Sequence, residues 1–393
     1  MHGFDMPTRL VGVRERLLAA DVQALFVTNL TNVRWLCGFT GSNGWLVVTP
    51  SDCVLVTDGR YGDQAGEEIH AVDADARVLV GTSRSAMVEH ARAALGGAAT
   101  IGFEASNITV EEHRALSSAL QGPWSSLPGA VEEGRRCKDQ GEIDRMKHAA
   151  FIADAALAHC LPLLRNEPTE AEFRDELEFT MRNIGADGPS FDTIVGAGAN
   201  AALPHHHPDQ TRIVEGMTVV IDFGALYQGY HSDMTRTFAV GDPTAVQQEV
   251  YDVVLAAQQA GLAGVMAGAR GKEIDKNCRR SITDAGWGEW FTHGTGHGVG
   301  LDIHESPWLT QNFDDTLRVS DVVTVEPGVY RRGSTLERTG NSPSSRALED
   351  PAHPLGFVGG VRIEDMVVVT TSGCQSFTTT PKDSLCLPSP PTI

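Results

Sequence analysis

Residues 218–240 read TVVIDFGALYQGYHSDMTRTFAV. Both halves are rich in β-branched and aromatic residues and a glycine lies between them, a pattern that predicts a β-hairpin. A loop of two or four residues centred on Tyr227 and Gln228 would place Asp222 directly opposite Asp233 on one face. Two like charges repel there, so we expect a divalent cation between them, because carboxylate oxygens are good ligands for such ions. The alternative is one aspartate in the turn and the other at a strand end.

Composition limits the possible partners. The chain has 393 residues with 31 basic and 51 acidic side chains, a net charge of −20, which argues against binding to nucleic acid or to an anionic membrane surface. Its seven cysteines are scattered without a CxxC pair, so we expect no disulfide framework and a reducing, cytoplasmic location. Neither a signal peptide nor an apolar run of membrane-spanning length is present in the sequence.

The order of predicted elements divides the chain into two domains. Residues 1–133 alternate strand and helix patterns, which predicts an α/β domain, and residues 134–387 interleave helices with antiparallel strands, which predicts an α+β domain. Residues 388–393 are rich in proline and serine and are expected to form a loose tail. In the first domain the predicted strands are 24–28, 45–49, 53–57, 77–80 and 100–103, with helices at 10–20, 86–95 and 110–120.

Four further stretches of the second domain carry polar residues in apolar settings. Three histidines, His293, His297 and His304, lie among glycines that exclude a helix, so His293 and His297 are not a helical metal pair. Glu326 ends an apolar strand at a Pro-Gly turn. Arg362 and Glu364 alternate with Val361 and Ile363, so they face the same side of a strand. The loop that precedes the hairpin carries three histidines, 205–207, of which at most one need act in a site.

The charges of these residues indicate a dinuclear centre. Asp222, Asp233, Glu326 and Glu364 supply four negative charges, which two divalent cations would balance, with His297 as an imidazole ligand. Two such ions can share a hydroxide and polarise a carbonyl, which is the chemistry of hydrolysis.

These motifs resemble those of the pita-bread metallopeptidases, and more narrowly the branch of Xaa-Pro aminopeptidases and prolidases. The resemblance rests on five contexts in order, namely VIDFG, HSDMTRT, GTGHGVG, VEPG and VRIED. It extends to the first domain, where NVRWLCGFTGSNG and TDGRY are similar to a creatinase-type N-terminal domain. The resemblance implies an α/β creatinase-like domain followed by an α+β pita-bread catalytic domain.

The resemblance also implies roles for individual residues. Asp222, Asp233, His297, Glu326 and Glu364 would bind two divalent ions, with manganese expected and cobalt or zinc as alternatives. His205 and His304 would stabilise the tetrahedral intermediate or move protons, and Glu326 would shuttle the proton of the bridging water. His293 would line the proline side of the site, and Tyr330 and Arg362 would support the site and its substrate. A homodimer or homotetramer is implied too.

The expected activity is that of an Xaa-Pro aminopeptidase, which removes an N-terminal residue that precedes proline. The alternative is an Xaa-Pro dipeptidase (prolidase), and more remote alternatives are a methionine aminopeptidase, a creatinase-like hydrolase and a non-enzymatic binding module. The choice of aminopeptidase rests on Trp308, which stands where some prolidases that this chain resembles carry an arginine able to pair with the carboxylate of a dipeptide. Arg318, Arg331 or Arg332 could replace that arginine. Residues 331–358 form an insertion between two predicted ligands, and either a lid or an inert loop fits it.

Overall fold

The computed structural model describes residues 1–333 and 356–388 and divides the chain into two compact units. The first unit comprises Met1–Arg135 with Asp139–Gly141, and the second comprises Arg136–Lys138 with the chain from Glu142 onward. Most of the predicted insertion and all but the first residue of the predicted tail lie outside the described residues. Among the described helices, none has the length and apolar character needed to cross a bilayer.

The first unit is a mixed six-stranded sheet covered by helices. Its elements are α1 Met6–Ala19, β1 Ala24–Val27, α2 Leu30–Cys37, β2 Gly44–Val48, β3 Cys53–Asp58, α3 Gly62–Ala71, β4 Arg77–Gly81, α4 Arg84–Leu95, β5 Ile101–Phe103, α5 Val110–Leu120, β6 Trp124–Ser126 and α6 Glu132–Arg136. The strand order is β4-β3-β2-β1-β5-β6, in which β2 is antiparallel to both β1 and β3, and the pairs β3–β4, β1–β5 and β5–β6 are parallel. The five strands and three helices predicted from the sequence are confirmed within a few residues, whereas α2, α3, α6 and β6 were missed.

Over its described residues, the second unit combines four α-helices with short antiparallel strands. Its elements are α7 Gln140–Cys160, α8 Glu170–Ile184, β7 Gly188–Pro189, β8 Ile194–Ala197, β9 Thr218–Phe223, β10 Ala225–Tyr227, β11 Tyr230–His231, β12 Met234–Ala239, α9 Ala245–Gly264, α10 Gly271–Asp284, β13 Gly296–Gly298, β14 Glu305–Leu309, β15 Val322–Val325, β16 Gly328–Arg331, β17 Gly359–Arg362, β18 Asp365–Val369 and β19 Cys374–Ser376. Short 3-10 turns occupy Leu161–Asn166, Gly198–Ala202 and Gly288–Trp290.

Two antiparallel sheets dominate this unit. One has the order β12-β9-β8 and the other β14-β13-β15-β18-β19, and shorter ladders β11-β10-β7 and β16-β17 complete the set. Two buried apolar clusters fill the space between sheets and helices, one built around α7, α8 and β9 and the other around α9, α10 and β15. Helix α8 begins with a capping box, in which the hydroxyl of Thr169 accepts from the amide of Glu172 and the carboxylate of Glu172 accepts from the amide of Thr169.

The central hairpin is confirmed, but its predicted register is wrong by two. Met234 pairs with Phe223 and Thr235 pairs with Asp222, so Asp222 and Asp233 are diagonal neighbours and not direct partners. The turn is the reason. Gln228 and Gly229 both have positive φ, 47° and 79°, and form a two-residue loop one position further along than predicted.

Candidate metal centre

Five side chains from five separate segments meet at one cleft in the second unit. Asp222 lies on β9, Asp233 immediately precedes β12, His297 lies on β13, Glu326 follows β15 and Glu364 lies between β17 and β18. All five line a cleft of about 440 Å³. Antiparallel strands therefore bring together residues that are up to 142 positions apart, from Asp222 to Glu364.

The backbone at these residues is fixed by hydrogen bonds from neighbouring strands. The amide of Glu326 donates to the carbonyl oxygen of Thr295 over 2.7 Å. The amide of Glu364 donates to the carbonyl oxygen of Thr235 over 3.1 Å. Both glutamates follow fully buried strands, β15 before Glu326 and β17 before Glu364, so the side chains project from rigid positions.

The imidazole of His297 is oriented as a metal ligand. Its Nδ1 donates to the carbonyl oxygen of Gly298 over 3.0 Å, which leaves the lone pair on Nε2. That Nε2 lies 3.6 Å from Oδ2 of Asp233 and 3.5 Å from Oε1 of Glu326. Ligand atoms of Asp233, His297 and Glu364 all lie within 4.8 Å of one another, a spacing that suits a shared cation.

The electrostatics of the cluster favour the binding of cations. Burial raises the pKa values of Asp233 and Glu364 well above their usual range, and repulsion among the carboxylates adds to the rise. Burial raises the pKa of Glu326 to about 8, with the charge of Asp222 contributing. Burial also lowers the pKa of His297 to about 3, so the ring is neutral and can bind a metal.

One oxygen in the cluster has no partner within the described residues. Oδ1 of Asp222 is buried and accepts no hydrogen bond. A buried acceptor without a partner is costly, and a bound cation would satisfy it. The donor set of four carboxylates and one imidazole is of the type that holds manganese, cobalt or zinc in an open site. The residues present therefore fit divalent ions.

Arg362 supports the centre through hydrogen bonds to one predicted ligand and to two neighbouring side chains. Its guanidinium bonds to Oδ2 of Asp222, to the hydroxyl of Tyr330 over 2.7 Å and to Oγ1 of Thr235 over 3.0 Å. Thr235 in turn donates to Oε2 of Glu364 over 2.8 Å. One arginine and one threonine thus connect two predicted ligands. Arg362 was predicted from the sequence, whereas Thr235 was missed, although it shares a face of the hairpin with Asp233.

Two further predicted histidines, His293 and His304, line the cleft beside the proposed ligands. The His304 ring lies 4.3 Å from that of His297, centroid to centroid, and stacks nearly parallel to Trp308. His293 accepts at Nε2 from the Tyr330 hydroxyl over 2.9 Å, and burial lowers its pKa to about 3. His293 and His304 line the cleft, whereas Tyr330 is 6% exposed and contacts the site through His293 and Arg362.

All three histidines of the loop, 205–207, line the cleft, but they differ in exposure. His205 is exposed and lines the cleft. His206 is 9% exposed and bonds through Nε2 to Oε2 of Glu170 over 2.7 Å. Sequence reasoning did not single out Glu170, which lies 36 residues from His206, and no local pattern joins them.

A buried cluster of carboxylates and one imidazole in a cleft is suited to hydrolysis with bound metal ions. Comparison with known proteins gives the family. The chain matches the model of metallopeptidase family M24 over residues 144–371 and that of the creatinase/prolidase N-terminal domain over residues 9–137. The chain belongs to metallopeptidase family M24. It is a hydrolase with a creatinase-type N-terminal domain and a pita-bread catalytic domain, as the sequence predicted.

Similar proteins carry both of the expected names. The structure of the Xaa-Pro dipeptidase from Bacillus anthracis is 35% identical, with a TM-score of 0.88 over 98% of this chain and 100% of that one. The Xaa-Pro dipeptidase of Pyrococcus horikoshii is 30% identical over 92% of this chain and 94% of its own length. The X-Pro aminopeptidase from Thermotoga maritima MSB8 is 32% identical, with a TM-score of 0.80 over 94% of this chain and 99% of that one.

Proposed function

We propose that this chain is a dinuclear metallopeptidase that hydrolyses the bond between an N-terminal residue and proline, with Xaa-Pro dipeptides as its main substrates. The observation that carries the proposal is the cluster of four carboxylates and His297, whose buried Asp222 oxygen lacks a partner among the described residues. The ions, with manganese first and cobalt or zinc as alternatives, would be held by Asp222, Asp233, His297, Glu326 and Glu364.

The bound ions would supply Lewis acidity toward a water molecule and the scissile carbonyl. Glu326 would accept the proton that water loses on attacking the carbonyl carbon and deliver it to the proline nitrogen as the C–N bond breaks. The two products are then a free amino acid and proline or a proline-led peptide. This role is supported by the distance of 3.5 Å between Oε1 of Glu326 and Nε2 of His297, another proposed ligand.

The histidines of the cleft would handle the remaining polar groups of the substrate. His205 and His304 would donate to the oxygen of the tetrahedral intermediate, where a hydrogen bond gains most as charge develops. His293 would line the proline side. Its hydrogen bond from Tyr330, whose hydroxyl accepts in turn from Arg362, holds the ring in one orientation.

The choice of dipeptides departs from the expectation drawn from Trp308. Most of the similar proteins with a stated activity are named dipeptidases or prolidases, and several match nearly the whole chain. Trp308 still favours the second candidate, an aminopeptidase for longer peptides, because this residue lines the cleft and cannot pair with a carboxylate. The similar X-Pro aminopeptidase supports that candidate as well.

The arginines offered as substitutes for a carboxylate partner, namely Arg318, Arg331 and Arg332, are not among the described residues that line the cleft. Within the described residues, Arg362 is the arginine that lines the cleft, and it is bonded to Asp222 and Tyr330. Arg331 bonds to the carbonyl oxygen of Phe357 and lies over the ring of Trp290 at 5.7 Å. Homo-oligomerisation and a cytoplasmic location stay predictions from the sequence.

A hydrolysis panel tests both candidates. Xaa-Pro dipeptides and the matching Xaa-Pro-Yaa tripeptides are incubated with metal-stripped protein and with protein restored by manganese, cobalt or zinc. The proposal expects no turnover without metal and a kcat/KM at least about tenfold higher for the dipeptide, which corresponds to about 1.4 kcal/mol in the transition state. A tripeptide preference of that size would select the aminopeptidase, and full activity without metal would exclude both.

A further inference from the structure

The side chain of Glu170 is a buried carboxylate that contacts the histidine loop and is not one of the proposed metal ligands. Glu170 is the first residue of α8 and is fully buried. Its carboxylate accepts from four donors, which are the amides of Ala197 and Asp209, the side-chain amide of Asn200 and Nε2 of His206. Burial raises the pKa of Glu170, and the bonds from Ala197 and His206 oppose that rise.

This cluster is better explained as an anchor than as a second metal site. Glu170, His206 and Asp209 have a spacing that a cation could bridge. However, both carboxylate oxygens of Glu170 already accept hydrogen bonds at 2.7 Å, from Ala197 and from His206. An ionised carboxylate surrounded by donors is satisfied without a cation, and a metal would have to displace the His206 bond.

The hydrogen bond between Glu170 and His206 fixes one end of the turn that carries His205. The amide of His206 donates to the carbonyl oxygen of Leu203 over 3.1 Å, which closes a four-residue turn with Pro204 and His205 at its corners. Proline at the first corner fixes φ there and stiffens the turn. On the cleft side, Arg362 reaches the carbonyl oxygen of Pro204 at 3.4 Å. The last residue of the turn is therefore held by Glu170 and its first corner by Arg362.

We propose that Glu170 and His206 are positioning residues that hold the Leu203–His206 turn so that His205 points into the cleft. This inference rests on the proposed function, in which His205 contacts the reacting substrate. His206 and His205 are adjacent in the sequence, so a shift of the His206 side chain moves the His205 backbone directly. A displacement of about 1 Å at a catalytic group can cost about a hundredfold in rate.

The test compares variants of His206 that keep or lose the bond to Glu170. His206→Leu removes the donor at similar volume, and His206→Gln keeps an N–H donor near the position of Nε2. We expect kcat to fall about tenfold or more in His206→Leu and to stay within about threefold in His206→Gln, with KM and bound metal little changed. If His206→Leu does not fold, His206→Asn, whose amide is too short to reach Glu170, replaces it.

A double-mutant cycle separates positioning from a structural role. If His206 acts through His205, His206→Leu should add less than about a twofold loss of kcat when His205 is already alanine. Glu172→Ala is the matched control, because it weakens the start of the same helix at an exposed position away from the loop. It should lower the melting temperature and leave kcat unchanged.

The possible outcomes distinguish this inference from the function on which it rests. If His205→Ala retains full kcat with metal bound, the role of His205 in the proposed function is wrong. If His205→Ala is impaired but His206→Leu is not, or if the two losses multiply, then only the positioning role is overturned. A loss of kcat in Glu172→Ala as large as that in His206→Leu would assign the effect to helix stability.

Discussion

Replacing Thr235 by valine should weaken metal binding although it leaves all five proposed metal ligands unchanged. Thr235 is fully buried, and its hydroxyl donates to Oε2 of Glu364 over 2.8 Å while accepting from Nε of Arg362 over 3.0 Å. Valine has nearly the same shape but no hydroxyl, so the change deletes two hydrogen bonds and leaves the backbone in place. Glu364 then loses the bond that fixes the orientation of its carboxylate.

The size of the effect follows from the bonds that are lost. A hydrogen bond to a charged group contributes about 1.5–3 kcal/mol, and Thr235 bonds to two charged groups. Residues that orient metal ligands typically change metal affinity or activity by about 10- to 100-fold, or about 1.4–2.7 kcal/mol. We therefore expect the dissociation constant of the more weakly held ion to rise about 10- to 100-fold, with kcat at saturating metal reduced less.

Thr237 provides a matched control on the same strand. It is buried to the same degree and lies two residues further along β12, but its hydroxyl bonds to the backbone of Arg362 and not to a ligand. Thr237→Val should lower the melting temperature and keep metal affinity within about twofold. Metal titration by calorimetry of both variants gives the comparison. Equal metal affinity in wild type and Thr235→Val would refute the reasoning.

Three further changes address the ligands, the histidine loop and the wall of the cleft. Metal reconstitution should give two divalent ions per chain by elemental analysis, and Glu364→Ala should reduce that number and abolish turnover. Because the pKa of Glu326 is raised to about 8 without metal, its proton must leave before an ion binds, so affinity measured by metal titration should fall as pH is lowered below about 8. His205→Ala should lower kcat about a hundredfold while metal is retained, because a positioned acid or base contributes about 10²–10⁴-fold to the rate. Steady-state kinetics measures the loss of kcat, and elemental analysis measures the bound metal. Trp308→Arg should raise kcat/KM for dipeptides relative to tripeptides, and an unchanged ratio would show that this wall does not contact the carboxylate.

That these residues lie together in one cleft could be predicted because the sequence around each of them is unusual for its chemistry. A carboxylate in a strand of valines, such as Asp222, is a local conflict that only a partner in three dimensions can resolve. Glycines around His297 likewise signal close backbone approach, and Gly296 is packed against the backbone of Thr324. The hairpin register failed for a local reason, because a pair of residues with positive φ at 228 and 229 moved the turn by one position.

The supporting residues could not be predicted because their roles depend on tertiary contacts. Thr235 looks like an ordinary strand threonine, and only the approach of β17 brings Glu364 and Arg362 to its hydroxyl. Glu170 looks like a helix-capping acid and is one in part, since negative charge is favoured at a helix N-terminus. Its bond to His206 arises from the packing of the histidine loop against the start of α8.

The position of Arg362 changes the charge balance on which the dinuclear prediction rests. Four carboxylates against two divalent ions give a neutral centre, but Arg362 is 2% exposed and bonds directly to Asp222. Four carboxylates and one guanidinium leave three negative charges, so two divalent ions make the centre positive by one unit. A buried site with one excess positive charge favours one bound anion. The carboxylate of the hydrolysis product would be such an anion, whereas a hydroxide formed by proton transfer to Glu326 would leave the net charge of the site unchanged.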